Sequence, residues 1–219
     1  MRTIAVGDIH GHATALRGLI DAIVPEPADT LVFLGDYLDH GPDSQGVIAT
    51  LLDLQARFTA IALLGNHEEM AIASRTSAAA LRQWLDPVFG GQATLNSYGG
   101  IENVNDLPLE HLQFLQGLQR YHEVDTHFFV HANYAPNWRL ADHDSRTALW
   151  LSLDDLPQPY YSGKIAVVGH TPQMQGGILD LGYLLCIDTG CGYGGHLSAL
   201  DIESGQVWRV DEAGRLGLA

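Results

Sequence analysis

Asp8, His10, Asp36, Asn66, His131 and His170 share one sequence context: each stands at or just after the end of a short apolar run, usually behind a glycine. Ile4-Ala5-Val6-Gly7 leads into Asp8-Ile9-His10-Gly11, and Leu31-Val32-Phe33-Leu34-Gly35 leads into Asp36-Tyr37-Leu38-Asp39-His40-Gly41-Pro42. Ile61-Ala62-Leu63-Leu64-Gly65 leads into Asn66-His67-Glu68. Phe128-Phe129-Val130 stops at His131, and Ile165-Ala166-Val167-Val168-Gly169 stops at His170. Carboxylate, amide and imidazole donors without thiolate suit manganese, iron, zinc or cobalt rather than Cu(I) or calcium. Asp36 lies between the first and third motifs, and its two oxygens could bridge a pair of such ions. Two ions would lower the pKa of a shared hydroxide and clamp the oxygens of a phosphorus centre during in-line displacement. A leaving alkoxide then needs a proton. His67 is placed to give it, and Asp39, three residues beyond Asp36, is the natural holder of its imidazole.

Each motif alone has a plainer explanation. Asp-x-His is common and on its own more often structural. Gly-Asn-His-Glu reads as a helix start, with Asn66 as cap and Glu68 and Glu69 favouring the dipole. His131, on an apolar strand, would by itself be a satisfied core histidine. The conjunction is what these explanations fail to cover, because five strand ends would have to acquire ligand types independently.

The elements that must position these groups follow from hydrophobic pattern. Strands are expected at 3–8, 30–35 and 59–64, each followed by a helix: about 13–24, 44–56 (capped by Asp43 or Ser44) and 67–75. Three strand–loop–helix units make a parallel sheet, whose carboxyl ends are where open α/β sheets build their sites. Residues 76–122 read as an insert that closes over one side of the site. It is helical at 78–85 and 109–119, with a Gly- and Asn-rich loop at 89–105 between. Ser97-Tyr98-Gly99-Gly100 could touch substrate, although a plain loop is the better reading. From residue 126 strands dominate (127–132, 164–169, 183–188, 197–202, 206–210), suggesting a second sheet packed on the first.

The 219 residues fit a single domain, 1–219, and carry a formal net charge of −15 with only 11 Lys and Arg. Such a surface repels phosphate backbones and anionic lipid, which argues against nucleic-acid or membrane binding. The N-terminus lacks a basic, hydrophobic leader, so a cytoplasmic location is expected, with Cys186 and Cys191 as reduced thiols. The 11 histidines exceed what solvated loops account for.

Gly-Asp-Ile-His-Gly, Gly-Asp-Tyr-Leu-Asp-His-Gly-Pro-Asp-Ser, Gly-Asn-His-Glu-Glu-Met, Val-His-Ala and Gly-His-Thr-Pro occur here in the order that marks the calcineurin-like metallophosphoesterases. The chain resembles that superfamily from about residue 3 to 210, in the branch of bacterial serine/threonine-phosphatase-like proteins, phage lambda phosphatase and symmetrical dinucleoside tetraphosphate hydrolases. The resemblance implies an α/β, four-layer αββα sandwich with two mixed sheets and a dinuclear site. By motif position, Asp8, His10 and Asp36 would hold one divalent ion, and Asp36, Asn66, His131 and His170 the other, with manganese the first choice. Asp39 and His67 would form the acid dyad.

Three positions depart from the family pattern. His40 stands where Asp-Arg-Gly would carry Arg, Leu64 precedes Gly65 where phosphatase relatives carry Arg, and Leu151-Ser152 follow Trp150 where another Arg is frequent. Those arginines are bidentate clamps for a phosphoryl group. His40, if protonated, could partly replace the Arg and is the candidate substrate-binding residue; Arg139 or Arg146 could also reach in. The expected activity is therefore metal-dependent hydrolysis of a phosphomonoester, phosphodiester or dinucleoside polyphosphate, from a small molecule or a phosphoprotein. The competing expectation is a non-catalytic metal-binding or interaction module that retains the fold.

Overall fold

The computed structural model describes residues 1–175 and 177–217. The first three apolar runs form parallel strands β1 (Thr3–Val6), β2 (Thr30–Phe33) and β3 (Thr59–Ala62), in spatial order β1-β2-β3. Each feeds a helix: α1 (Ala13–Ile23), α2 (Ser44–Arg57) and α3 (Asn66–Ser74). Helix α1 buries Leu16, Leu19 and Ile23 and ends where Val24 turns left-handed at φ 48° before Pro25. Asp43 caps α2, its side chain accepting the Gly46 N–H at 2.8 Å. Ser44, the other candidate cap, turns into the protein instead.

Residues 89–105, read from sequence as loop, contain a helix. The insert runs α4 (Ala78–Trp84), α5 (Gly91–Ser97), a 3-10 turn (Val104–Asp106) and α6 (Leu109–Gln116). Helix α5 has only seven residues, too few for helical periodicity to stand out, and it starts from Gly90 at φ 74°. Its Thr94 and Leu95 are buried, and Trp84, Leu95, Val104, Leu107 and Phe114 share one apolar cluster with α1, α2 and strand residues Ile4 and Val6.

The strand-rich end of the chain divides between two sheets rather than forming one. Strands β4 (Tyr121–Glu123), β5 (His127–Val130), β6 (Ile165–Val168), β7 (Leu179–Asp180) and β8 (Leu184–Cys186) make the second sheet, in order β4-β5-β6-β8-β7. Strands β9 (Leu197–Asp201) and β10 (Val207–Val210) return to the first sheet, β9 pairing antiparallel with β1 to give β10-β9-β1-β2-β3. Strands β4 and β7 are too short for a period-two signal, and strand pattern does not say which sheet a late hairpin joins.

Alternation along the strands sorts side chains between layers. Ile4 and Val6 face the helices while Ala5 faces the opposite sheet; Phe128 and Val130 face outward while Phe129 turns inward. Ala5, Val32, Leu34, Leu63, Phe129, Val167, Ile187 and Leu200 thus form the layer between sheets. Fully burying a side chain of the Val, Leu, Ile or Phe type is worth about 1.5–3 kcal/mol. The outer face of the second sheet is covered by a 3-10 turn at Leu140–Asp142, a π-helix at Arg146–Trp150 and the loop bearing Leu153 and Tyr160. The αββα order holds, with that outer layer assembled from short turns. Cys186 and Cys191 are both free and buried. Among the described residues no helix is long and apolar enough to cross a membrane.

The buried Asp29 ties the first strand to the loop before β2. It accepts the Arg2 backbone N–H at 2.8 Å, the Arg2 side chain at Nε (3.0 Å), and the Glu26 N–H at 2.9 Å. Hydrogen bonding from Arg2 holds its carboxyl down from 3.8 to about 2. A depressed carboxyl stabilises the fold above its unfolded pKa and loses that contribution as pH falls through the folded value. Asp29→Asn should therefore cost about 1–3 kcal/mol at neutral pH. In urea melts at a series of pH values, the gap between wild type and variant should close from about pH 4 down to about pH 2.

Candidate metal centre and acid dyad

The carboxyl ends of β1, β2, β5 and β6 and the start of α3 bring the sequence-predicted residues to one place. Ligand atoms of Asp8, His10 and Asp36 lie within 4.8 Å of one another, as do those of Asp36, His131 and His170. Asp36 belongs to both sets, with His10 Nε2 3.6 Å from Oδ2 and His131 Nε2 3.4 Å from Oδ1. Asn66 sits between the two histidines of the second set, its Oδ1 3.0 Å from His131 Nε2 and 3.0 Å from His170 Nδ1. It does not cap α3; Gly65 occupies that position and gives its N–H to Glu68.

The donors of these histidines are spent elsewhere. Backbone carbonyls can only accept, so His10 Nδ1–H donates to Leu38 O (3.0 Å), His131 Nδ1–H to Leu34 O (2.8 Å) and His170 Nε2–H to Trp150 O (3.2 Å). The remaining ring nitrogen of each carries a lone pair directed at the carboxylates and at the amide oxygen of Asn66. Burial favours the neutral rings, lowering His10 to about 3 and His170 to about 4, and it lowers His131 as well. Asp8 Oδ1 is buried with no hydrogen-bond partner. Lone pairs converging without protons between them, plus an orphaned carboxylate oxygen, are what a cation would satisfy. The residues fit two divalent ions.

Asp36 is held below its ordinary value although its burial opposes the charge. Asp8 is pushed well up by burial and by Asp188. Asp188 itself, raised to about 7 by burial, ends the run Leu184-Leu185-Cys186-Ile187. The same strand-end pattern would have pointed to it as a site carboxylate.

The proposed dyad is in contact: His67 Nδ1 lies 2.7 Å from Asp39 Oδ2. This leaves His67 Nε2 facing the site, 3.9 Å from Asp36 Oδ2. Burial works against a charged His67, and Asp36 and Asp39 overcome it, raising the imidazole to about 9. A pocket of about 210 Å³ opens above these groups, lined by His10, Asp36, Asn66, His67, Val88, Phe89, Trp150, His170 and Tyr193. His40 stands beside that lining, its ring 5.3 Å from His67 and its Nε2 3.4 Å from the Tyr193 hydroxyl. Burial lowers its pKa, so it stays neutral where an arginine would be charged. Arg139 and Arg146 do not reach in: Arg139 is largely exposed and forks onto Asp142, and Arg146 is exposed. Ser97 and Tyr98 also face elsewhere, toward Gln45 and His111.

Sequence reasoning missed the residues that hold this arrangement. Glu68 takes four backbone N–H groups, those of Asp36 (2.9 Å), Tyr37 (2.8 Å), Leu38 (3.1 Å) and Gly65 (3.1 Å). Trp150 Nε1 donates to Glu69 at 2.7 Å while its ring lies 6.1 Å from Phe89. Ser44, Trp84 and Thr94 surround Asp39.

Metal analysis should find two divalent ions per reloaded chain. At about a hundredfold excess over the dissociation constant, each binding step adds about 2.7 kcal/mol of stability, so reloading should raise the melting temperature. Asp36→Asn removes the donor common to both sets, and if Asp36 is a ligand, elemental analysis of that variant should fall to one ion or none.

Residues 1–174 match the family model of the calcineurin-like phosphoesterases. The chain is 29% identical, over 90% of its own length and 90% of the relative's, to serine/threonine-protein phosphatase 1 of Salmonella typhimurium. It is 31% identical, over 64% of its length and 47% of the relative's, to a symmetrical bis(5'-nucleosyl)-tetraphosphatase of Nitrosomonas europaea. Among solved structures, it superposes with TM-score 0.69 on a candidate diadenosine tetraphosphatase (24% identity, covering 99% of this chain and 94% of that one). It also superposes with TM-score 0.71 on the cold-active protein-tyrosine phosphatase of a psychrophilic Shewanella (16% identity, covering 99% and 79%). Matched by the family model over most of its length, this chain belongs to the calcineurin-like phosphoesterase family.

Proposed function

We propose that this family member is a metal-dependent phosphoric ester hydrolase for substrates with little negative charge per phosphorus, namely phosphodiesters or phosphoanhydrides. Asp8, His10 and Asp36 would hold one divalent ion, and Asp36, Asn66, His131 and His170 the other. Bound there, two such ions supply Lewis-acid charge for phosphoryl oxygens and an activated water. His67 Nε2, held by Asp39, faces the pocket and protonates the oxygen that leaves phosphorus. The new bond forms from the water oxygen to phosphorus, and the proton that water gives up passes to solvent. The ester or anhydride bond breaks with its electron pair on the leaving oxygen, and the His67 proton joins that pair.

The observation that carries the substrate preference is the lining of the pocket, which contains no Lys or Arg among the described residues. A phosphomonoester dianion would bring two charges per phosphorus with no guanidinium to take them. A diester or an internal anhydride phosphorus brings one. Tyr193 and His40 offer hydrogen bonds but no fixed charge. Phe89, Trp150 and Tyr193 give the mouth an aromatic rim suited to an apolar ester arm. The relatives named as a serine/threonine phosphatase and a symmetrical tetraphosphatase bracket the two ends of this charge range.

Chelated protein reloaded with manganese, zinc or cobalt should hydrolyse bis-p-nitrophenyl phosphate or diadenosine tetraphosphate with higher kcat/KM than p-nitrophenyl phosphate. A preference for the monoester would overturn the charge argument. His67→Asn should lower kcat roughly a hundred- to ten-thousand-fold on substrates with poor leaving groups while leaving the metal count at two. Absence of turnover with every metal, at full metal occupancy, would replace the hydrolase with a metal-binding module.

A further inference from the structure

We propose that Trp84 and Thr94, both contributed by the insert, are positioning residues for the leaving-group acid: they fix Asp39 and, through it, the direction of the His67 proton. The inference rests on the acid role proposed for His67. Asp39 is fully buried, and its carboxylate meets three donors. Oδ2 accepts from His67 Nδ1 at 2.7 Å and from Trp84 Nε1 at 2.8 Å, and Oδ1 accepts from the Thr94 hydroxyl at 2.6 Å.

The Thr94 hydroxyl has one proton, and the carboxylate takes it. Its oxygen therefore accepts from the Asp39 backbone N–H at 2.9 Å and from the Ser44 hydroxyl at 3.0 Å. One threonine thus holds both ends of Asp39, carboxylate and amide. That matters at this residue because its backbone is left-handed, at φ 72°, a conformation a non-glycine residue keeps only when its surroundings over-determine it. Ser44, Trp84 and Thr94 are, like Asp39, fully buried, so water is not available to replace a lost donor.

A buried indole needs some acceptor, and a main-chain carbonyl would serve. Here it takes the carboxylate oxygen that already holds the acid imidazole. Two donors on Oδ2 and one on Oδ1 stop the carboxylate from turning about its Cβ–Cγ bond, and a bond of 2.7 Å carries that restraint to the imidazole. The insert reaches the site from two helices, since Trp84 ends α4 and Thr94 lies within α5. Gly91 lies flat against the indole, where a Cβ would come within 2.7 Å of Trp84 ring carbons.

The test uses the full-length, metal-loaded protein and matched esters differing only in leaving group: phenyl, which needs a proton on departure, and 2,4-dinitrophenyl, which does not. Trp84→Phe and Thr94→Val should lower kcat on the phenyl ester roughly 10- to 100-fold. On the dinitrophenyl ester the loss should stay within about threefold, with KM unchanged. Thr94→Ser, which keeps the hydroxyl, should restore the phenyl activity. His67→Asn, run beside them, should show the same split. Equal loss on both esters, or no loss, in Trp84→Phe and Thr94→Val overturns the positioning role if His67→Asn still splits the two. Equal loss in His67→Asn overturns the acid reading itself, and this inference with it. Thermal melts accompany each variant, and if Trp84→Phe does not fold, the Thr94→Val and Thr94→Ser pair decides.

Discussion

The carboxylate of Glu68 is the interaction on which the rest of the site depends. The loop after β2 leaves its sheet and carries Asp36, Tyr37 and Leu38 through a path in which their N–H groups find no strand partner. Glu68 accepts all three and adds the N–H of Gly65. Each of these buried donors would cost about 1–3 kcal/mol if left unpaired. Burial and the neighbouring Asp36 push the Glu68 carboxyl up, while His67 and the amide of Tyr37 favour its charged form. Four donors and no acceptor among its partners call for the carboxylate. Because Glu68 belongs to the first turn of α3, the same bonds fix Asn66 and His67 relative to Asp36 and Asp39. One side chain registers the second motif against the third.

That registration permits backbone conformations that would otherwise relax. His10, Asp36, Asp39, His40 and His170 all have positive φ, between 48° and 72°. Left-handed backbone at a non-glycine residue is rare because Cβ crowds the carbonyl. Five such residues in one site turn each side chain off its strand direction and toward a common point. The glycines beside them have a different reason. At Gly65 a Cβ would come within 2.2 Å of Asp36 Oδ1, and at Gly169 within 2.1 Å of Asp8 Oδ1. The repeated Gly-Asn-His and Gly-His endings therefore record how closely the carboxylates pack against neighbouring strands.

This explains why the proposed ligand set was legible in the sequence and its supports were not. Asp8, His10, Asp36, Asn66, His131 and His170 follow apolar runs, and a buried parallel strand announces its own carboxyl end. Trp84, Thr94 and Ser44 carry no such marker. Trp84 and Thr94 act across sequence separations of 45 and 55 residues, through helices too short to register as periodic pattern. Glu68 was read as a dipole residue because local sequence offers that role, whereas its actual partners lie about 30 residues away in the β2 loop. The return of β9 and β10 to the first sheet escaped for a related reason. Alternation says which face of a strand is apolar and leaves open which sheet edge it joins.

The change at one expected arginine position, His40, is coupled to this architecture. His40 follows Asp39 in the left-handed stretch and packs against Gly90, the residue that opens α5, where a Cβ would come within 2.9 Å of His40 Nδ1. An extended guanidinium there would compete with the helix that delivers Thr94 to Asp39. The imidazole fits because it is compact, and its Nε2 remains within reach of Tyr193. Space given to the insert is thus space taken from a phosphate clamp, and the pocket closes over the proposed acid with Val88 and Phe89 in place of cations. In a chain of net charge −15, substrate charge would then have to be met by bound metal and the protonated His67. Coulomb repulsion at such a surface grows with each substrate charge left uncompensated, so the penalty falls most heavily on the dianion. On the proposed reading, the same insert that steadies the proton donor would thereby limit the charge of what the donor can serve.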